Sequence, residues 1–308
     1  MRRRFFVTVI LVLLTFCLFG CSPDDKGEHK LPPESIENTG KTSDITGSDK
    51  NVKTDNDEGK TTEIPEKDSI TGREEIRIAV IDSGFSTAVI GSESIIPGKN
   101  YICPERDTED RIGHGTALAA FIVGSEPARI EGYCPEAKLV PLVYADTNTE
   151  DGKEIMGGPD LVATMVRDAV DVYGCRIILI SSGTPKDEPK LREAVRYASE
   201  KNVLVVSCAG NNGETEQKVY YPGAYEEVLC VGSVNEEGEP AYFSQNNEFI
   251  DVWEIGTDLR LATLKGTRIR GEGTSYSAAI VAGKAAGELL KDGDLSVDEI
   301  CCRLKKDK

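Results

Sequence analysis

Short runs of apolar residues recur from residue 76 onward, and they give the clearest structural signal in the chain. Each run is nearly continuous in Val, Ile and Leu, which is typical of strands buried on both faces of a sheet. The predicted strands are residues 76–81, 139–144, 176–180, 203–208 and 228–234.

Segments with helical spacing lie between these runs. Residues 159–173 place Leu161, Met165 and Ala169 four residues apart, and Pro159 stands where a first helical residue is expected. Four more helices are predicted over residues 117–123, 191–201, 275–291 and 297–304. Strands that alternate with helices predict an α/β fold of three layers, a mainly parallel sheet with helices on both faces. Active sites in such sheets lie at the carboxyl ends of the strands, where Asp82 and Ser181 are found.

The first 20 residues differ from the rest and read as a secretory signal. Three arginines are followed by a short apolar run and then by Gly20 and Cys21. Residues 18–21 (Leu-Phe-Gly-Cys) resemble the lipobox of bacterial lipoproteins, which implies a lipid on Cys21. An ordinary signal peptide or an uncleaved anchor, with a chance cysteine, is the alternative.

Residues 21–75 are predicted to be a disordered acidic tether. They are rich in Asp, Glu, Lys, Ser and Thr and lack the apolar periodicity that would bury enough surface to offset the entropy of ordering. Residues 76–308 are long enough for one domain with a sizeable core, and we assign them to a single folded domain.

The formal net charge is −17. A chain this acidic is not expected to bind nucleic acid, whose phosphates require Lys and Arg. It would also be repelled by anionic lipid headgroups, so a lipid on Cys21 would have to anchor it to a membrane.

The chain has nine cysteines. Cys17 would leave with the signal and Cys21 would carry the lipid, which leaves an odd number that cannot all pair within one chain. Cys175, Cys208 and Cys230 lie in or beside apolar runs, where a buried thiol behaves as a small hydrophobic group. Mostly free, buried thiols are therefore predicted, and no Cys/His spacing fits a zinc site.

Candidate chemistry centres on His114, because the other histidine, His29, lies in the predicted tether. Asp82 and Ser275 are likewise flanked by glycines and small residues that suit sharp turns. A serine hydroxyl needs a base within hydrogen-bond reach, and that base needs a group that fixes its tautomer. Asp, His and Ser in this chain order are one of the known arrangements of a serine-protease triad.

The sequence around these residues resembles the subtilisin-like serine proteases (subtilases, peptidase S8) over residues 76–290. The motifs are Asp82-Ser83-Gly84, Gly-His-Gly-Thr at 113–116 and Gly273-Thr274-Ser275. Residues 207–213 resemble the segment with the oxyanion asparagine, and residues 180–183 resemble the strand that pairs with substrate. Five matched blocks in order make a chance resemblance very improbable.

This resemblance implies a role for each matched residue. Ser275 is the implied nucleophile, His114 the general base and acid, and Asp82 the group that orients His114. Asn211 is the implied oxyanion donor. The residues implied to bind substrate are Ser181, Ser182, Gly183 and Tyr220. Tyr220 stands where the family places the floor of the S1 pocket, so small or medium apolar P1 side chains are expected; an outward-turned ring is the alternative.

Three departures from the family pattern are visible. Residues 277–280 lack the proline that usually follows the nucleophile, and residues 114–135 lack the Asn-rich loop that often binds calcium. No foldable propeptide is evident before residue 76. The acidic stretches 107–110 and 146–154 are expected to be solvated surface rather than metal sites. No cofactor is expected for the chemistry, and a structural calcium is not indicated.

The expected function is that of a membrane-tethered, extracytoplasmic serine endopeptidase, anchored by lipid to a bacterial cell membrane and monomeric. Its partner would be a peptide or protein substrate. The alternatives are a catalytically silent peptide-binding module of the same fold and a narrow maturation protease that removes a leader from a secreted peptide.

Overall fold

The computed structural model describes residues 75–148 and 150–305. Its centre is a seven-stranded sheet in which every neighbouring pair of strands is parallel. The strands, in their order across the sheet, are β2 (Lys99–Asn100), β3 (Lys138–Val143), β1 (Arg77–Asp82), β6 (Ile177–Ile180), β7 (Leu204–Cys208), β8 (Val228–Val234) and β9 (Val252–Ile255). Because all seven are parallel, their carboxyl ends meet at one edge.

The alternation of side chains along β1 divides the core into two layers. Ile78 and Val80 belong to one buried cluster, whereas Ala79 and Ile81 belong to the cluster on the opposite face. Both sets are fully buried, which explains why the strand sequence is apolar without interruption.

Helices cover both faces of the sheet. One face carries α1 (Thr87–Ile90), α2 (His114–Val123), α5 (Thr274–Lys291) and α6 (Val297–Leu304), and the other carries α3 (Pro159–Asp171) and α4 (Pro189–Glu200). Small buried residues such as Ala278, Ala282 and Ala286 let α5 lie directly on β6, β7 and β8. The three-layer α/β fold predicted from the sequence is confirmed.

The predicted elements agree with the structure to within a few residues at their ends. Two antiparallel hairpins were not predicted: β4 (Ala145–Thr147) with β5 (Glu154–Met156), and β10 (Leu259–Ala262) with β11 (Arg268–Gly271). The short strands β2 and β9 were not predicted either. These strands are two to four residues long, and arginines interrupt the apolar pattern of the second hairpin.

The signal, the lipobox with Cys21 and almost all of the tether lie outside the described residues, so their boundaries remain predictions. Within the described part, no helix is both long and apolar enough to cross a membrane. The seven cysteines of this part are all free, and five of them are buried, as predicted.

Candidate active site

Asp82 is the last residue of β1, and the turn after it fixes its carboxylate. Its Oδ1 accepts hydrogen bonds from the Ser83 backbone N–H at 2.9 Å and from the Ser83 hydroxyl at 3.3 Å. The turn continues through Gly84 at φ +95°, where a Cβ would lie 2.2 Å from the Thr108 carbonyl oxygen. Only glycine fits this backbone, which explains the Asp-Ser-Gly sequence.

His114 is the first residue of α2, and it faces Asp82. Its Nδ1 lies 2.9 Å and 3.0 Å from the two carboxylate oxygens, so Nδ1–H donates to Asp82 and Nε2 is left as the basic nitrogen. The pair is enclosed, with 15% of the His114 side chain and 5% of the Asp82 side chain exposed.

The surroundings of His114 favour its protonated form. Burial by itself lowers the pKa of His114, but the charge and hydrogen bond of Asp82 and the charges of Asp110 and Glu154 act in the opposite direction and prevail. The pKa of His114 is therefore raised above its ordinary value of 6.5. An imidazole with such a pKa is a competent base near neutral pH.

Ser275 is the second residue of α5 and is 7% exposed. Its hydroxyl donates to the Ser181 carbonyl oxygen at 3.3 Å, which brings the end of β6 next to the start of α5. The preceding Gly273 has φ +155°, a conformation that other residues rarely adopt. Because Ser275 lies in the first turn of α5, the positive end of the helix dipole lies beside its hydroxyl.

The side chain of Asn211 is oriented by Thr274. Its Oδ1 accepts hydrogen bonds from the Thr274 backbone N–H at 2.9 Å and from the Thr274 hydroxyl at 2.8 Å. The same hydroxyl accepts from the Gly210 N–H at 3.2 Å. Because the oxygen is held in this way, the Nδ2 amide lies on the side of Gly273, where it would be 3.5 Å from a Cβ at that position.

One cleft brings together the residues singled out from the sequence. Its lining includes Asp82, His114, Ser181, Asn211 and Ser275. The hairpin β10–β11 forms another part of the wall through residues such as Leu264 and Ile269, which sequence reasoning did not identify. A hydroxyl, an imidazole and an amide that line one cleft are the kinds of group that acyl transfer requires.

Ser182, Gly183 and Tyr220 do not line this cleft, although Ser182 and Gly183 directly follow Ser181, which does. The segment is tied down by paired backbone hydrogen bonds between Thr184 and Tyr221, at 2.8 Å and 2.9 Å. Tyr220 is turned inward and only 6% exposed, and its ring packs between Gly183 and Gly210. Of the two orientations weighed for this ring, the inward one is observed.

Tyr276 and Thr274 are further residues at the site that were not singled out. The Tyr276 ring lies 5.6 Å from the His114 ring and 6.0 Å from the Phe121 ring, centre to centre, and it lines the cleft. Both residues flank Ser275 in the chain. That adjacency is a signal that sequence reasoning could have used.

The acidic stretches at 107–110 and 146–154 are not solvated throughout, so this expectation was wrong for two residues. Asp146 is 2% exposed and Asp110 is 4% exposed. Asp146 is paired with Arg106 at 2.9 Å, and Asp110 accepts backbone hydrogen bonds at the start of α2. Among residues 75–148 and 150–305, no group of three or more His, Cys, Asp or Glu side chains is placed to hold a metal ion.

Known proteins are similar to this chain in fold and in sequence. The subtilase family model (peptidase S8) matches residues 73–301. The major intracellular serine protease of Bacillus subtilis is 35% identical over 223 residues, covering 68% of this chain and 67% of that protein. An intracellular serine protease of Paenibacillus polymyxa is 31% identical over 247 residues, covering 75% and 73%. The structure of sphericase superimposes with a TM-score of 0.65 at 25% identity, covering 78% of this chain and 86% of that one.

The parallel three-layer fold, with polar side chains collected at the carboxyl ends of its strands, defines the class as subtilisin-like. The chain belongs to the subtilase family, and it is a serine protease of that family.

Proposed function

We propose that this protein is a serine endopeptidase that cleaves peptide bonds through an acyl-enzyme on Ser275. The observation that carries this proposal is the Asp82–His114 pair at 2.9 Å in the same cleft as Ser275. His114 accepts the Ser275 proton as the oxygen attacks the scissile carbonyl, and it returns that proton to the leaving amine. Asp82 holds the tautomer and stabilises the imidazolium. Water then releases the acyl group by the same steps.

The negative charge on the carbonyl oxygen of the intermediate needs donors that are already in place. We assign this role to the Asn211 amide and the Ser275 backbone N–H. The support for Asn211 is its anchoring by Thr274, since two hydrogen bonds hold the amide in one orientation before substrate arrives. Donors that need no reorientation stabilise the transition state at little cost.

Substrate is proposed to lie as an extended strand along Ser181, Ser182 and Gly183. The support is the position of this segment directly after β6, beside the nucleophile. Tyr220 fills the space under Gly183, which favours small or medium apolar P1 side chains. A peptide library in which Phe or Lys is the preferred P1 residue would contradict this part of the proposal.

The location and partners are proposed from the sequence. A lipid on Cys21 would tether the monomeric catalytic domain to the outer face of a bacterial cell membrane, with peptides or proteins as substrates. The net charge of −17 argues against nucleic acid as a partner. The reaction needs no cofactor, because the nucleophile, base and oxyanion donors are all supplied by the chain.

A fluorophosphonate probe tests the proposed triad on the full chain. Labelling is expected at Ser275, located by peptide mass analysis, and it should be lost in Ser275→Ala and His114→Ala. Both variants should remain folded, which a thermal unfolding transition checks. A folded wild-type protein that takes up no label and hydrolyses no peptide would instead support a catalytically silent peptide-binding module.

A further inference from the structure

Asp110 is a buried carboxylate next to the catalytic histidine, and no step of the proposed reaction uses it. It precedes α2 by four residues and is 4% exposed. Removing a carboxylate from water is costly unless hydrogen bonds replace the lost hydration. The arrangement of the bonds that compensate for this burial indicates what the residue does.

The two oxygens of Asp110 hold the chain on both sides of His114. Oδ1 accepts from the Ile112 N–H at 2.9 Å and from the Gly113 N–H at 2.7 Å, just before the histidine. Oδ2 accepts from the Thr116 N–H at 2.9 Å and from the Thr116 hydroxyl at 2.7 Å, just after it. One carboxylate therefore fixes the backbone from which the imidazole projects.

The same residue is bonded to the segment that follows Asp82. The Asp110 backbone N–H donates to the Phe85 carbonyl oxygen at 3.2 Å. The Thr116 hydroxyl, which donates to Asp110, accepts from the Ser86 N–H at 2.9 Å. Because Phe85 and Ser86 lie three and four residues after Asp82, these bonds join the backbone of the histidine to the backbone of its partner.

The charge of Asp110 also acts on His114. The charged groups that raise the pKa of His114 are Asp82, Asp110 and Glu154, and the Tyr276 ring packs on the imidazole. Burial raises the pKa of Asp110 itself, while the donors from Gly113, Thr116 and Ile112 act in the opposite direction. Glu154 differs from Asp110 because it lies on β5 and is exposed to solvent.

We propose that Asp110 is a positioning residue for His114, and that its carboxylate holds the imidazole in line with Asp82 and Ser275. The proposal rests on the proposed function of His114 as the general base. It assigns to Asp110 no contact with substrate. A displacement of a catalytic group by about 1 Å lowers turnover by roughly 100-fold, so loosening this turn should be visible in kcat.

The main test compares Asp110→Asn with Glu154→Gln in the full chain. Asn keeps the size of the side chain and one acceptor oxygen, but its amide nitrogen cannot accept from Thr116. For Asp110→Asn we expect kcat to fall by roughly 10- to 100-fold with little change in KM. Glu154→Gln removes an exposed charge near the same histidine and should leave kcat near the wild-type value.

Substitutions of Thr116 provide an independent check, which also decides the matter if Asp110→Asn fails to fold. Thr116→Ser keeps the hydroxyl bond to Asp110 and should retain activity. Thr116→Val removes it and should lower kcat in the same direction as Asp110→Asn. A purely structural role would lower the unfolding temperature of Thr116→Val and Asp110→Asn without lowering kcat at temperatures where both variants are folded.

The pKa of His114 can be measured by NMR without any hydrolysis. The chain has two histidines, and the signal of His114 is identified by its loss in His114→Ala. Asp110→Asn removes a negative charge near His114, so the pKa of His114 should fall and the acid limb of kcat/KM should move to lower pH.

These two measurements separate the failure of this inference from the failure of the proposed function. A wild-type protein that cleaves no substrate, combined with a lowered His114 pKa in Asp110→Asn, would refute the protease reaction. The electrostatic effect of Asp110 on His114 would still stand. An active wild-type protein whose folded Asp110→Asn variant has unchanged kcat would overturn the inference, whether or not the pKa of His114 moves.

Discussion

Asn211 and Thr274 act as a unit at the scale of single residues. The Thr274 backbone N–H and hydroxyl both donate to the Asn211 side-chain oxygen, and Thr274 directly precedes Ser275 in the chain. The proposed oxyanion donor is thus fixed by the neighbour of the proposed nucleophile. A change at either residue would disturb the distance between the two groups that must act on one carbonyl.

Asn211→Leu should lower kcat by roughly 10²–10³-fold with little effect on KM, because a donor used mainly in the transition state is lost. That magnitude comes from a subtilisin and is carried over to this chain. Peptide hydrolysis under saturating substrate measures it. Asn212→Leu is the matched control, since the Asn212 amide donates to the Tyr220 hydroxyl at 3.3 Å and should affect KM more than kcat. Wild-type kcat in a folded Asn211→Leu variant would remove Asn211 from the mechanism.

The raised pKa of His114 predicts the pH below which activity is lost. The general base must be neutral, and its pKa in the folded protein lies above 6.5 because the Asp82 charge and hydrogen bond, with Asp110 and Glu154, outweigh burial. A profile of kcat/KM against pH should therefore reach half of its plateau above pH 6.5 and fall below that point. Protonated His114 also contributes stability at pH values below 6.5, which is lost as pH rises through the raised pKa. Half-maximal activity well below pH 6.5 would contradict a raised pKa of His114.

The contact between β1 and α2 is the critical one at the scale of elements. The Gly115 N–H donates to the Ser83 hydroxyl at 2.9 Å, and that hydroxyl in turn donates to Asp82. The start of the helix therefore lies against the turn after the strand, and the Asp82–His114 geometry depends on how closely the two approach.

Gly115→Ala should separate these elements and lower both activity and stability. A Cβ at this position would lie 2.3 Å from the Gly84 carbonyl oxygen, a backbone atom that can move only with the whole turn. We expect a lower thermal unfolding midpoint and a fold decrease in kcat that is larger than any fold increase in KM. Gly158→Ala, where a Cβ would meet nothing within 4 Å, is the control and should leave both quantities unchanged.

Five of the seven strands of the central sheet could be predicted from sequence because burial on both faces leaves an uninterrupted apolar run, as in β1 and β6. The β10–β11 hairpin could not, since Arg260 and Arg270 stand directly opposite each other and break the pattern. The sequence predicts a solvated Asp110, because residues 107–110 contain three carboxylates. Its burial depends on the contact of α2 with the segment after β1, which joins residues some 25 positions apart.

At the scale of the whole molecule, the negative charge and the N-terminal sequence favour a lipid anchor. A net charge of −17 opposes adsorption to anionic lipids, so an exported form of this chain would not stay at a membrane by electrostatic attraction. A single acyl chain gives only marginal membrane binding, whereas two chains on one cysteine give stable anchoring. The proposal that Cys21 is diacylated therefore makes a sharp prediction about location.

Cys21→Ser should release the protein from the membrane of a bacterial host that processes lipoproteins. The wild-type chain should sediment with membranes and take up a tagged fatty acid, because the proposed lipid on Cys21 anchors it to the bilayer. Cys17→Ser is the matched control: Cys17 lies inside the predicted signal, and its loss should change neither sedimentation nor labelling.

Should Cys21→Ser remain in the membrane fraction without label, the apolar run before it would be acting as an uncleaved anchor. Peptide hydrolysis by the released Cys21→Ser protein at the wild-type rate would show that the anchor determines where the protease works and not how it cleaves.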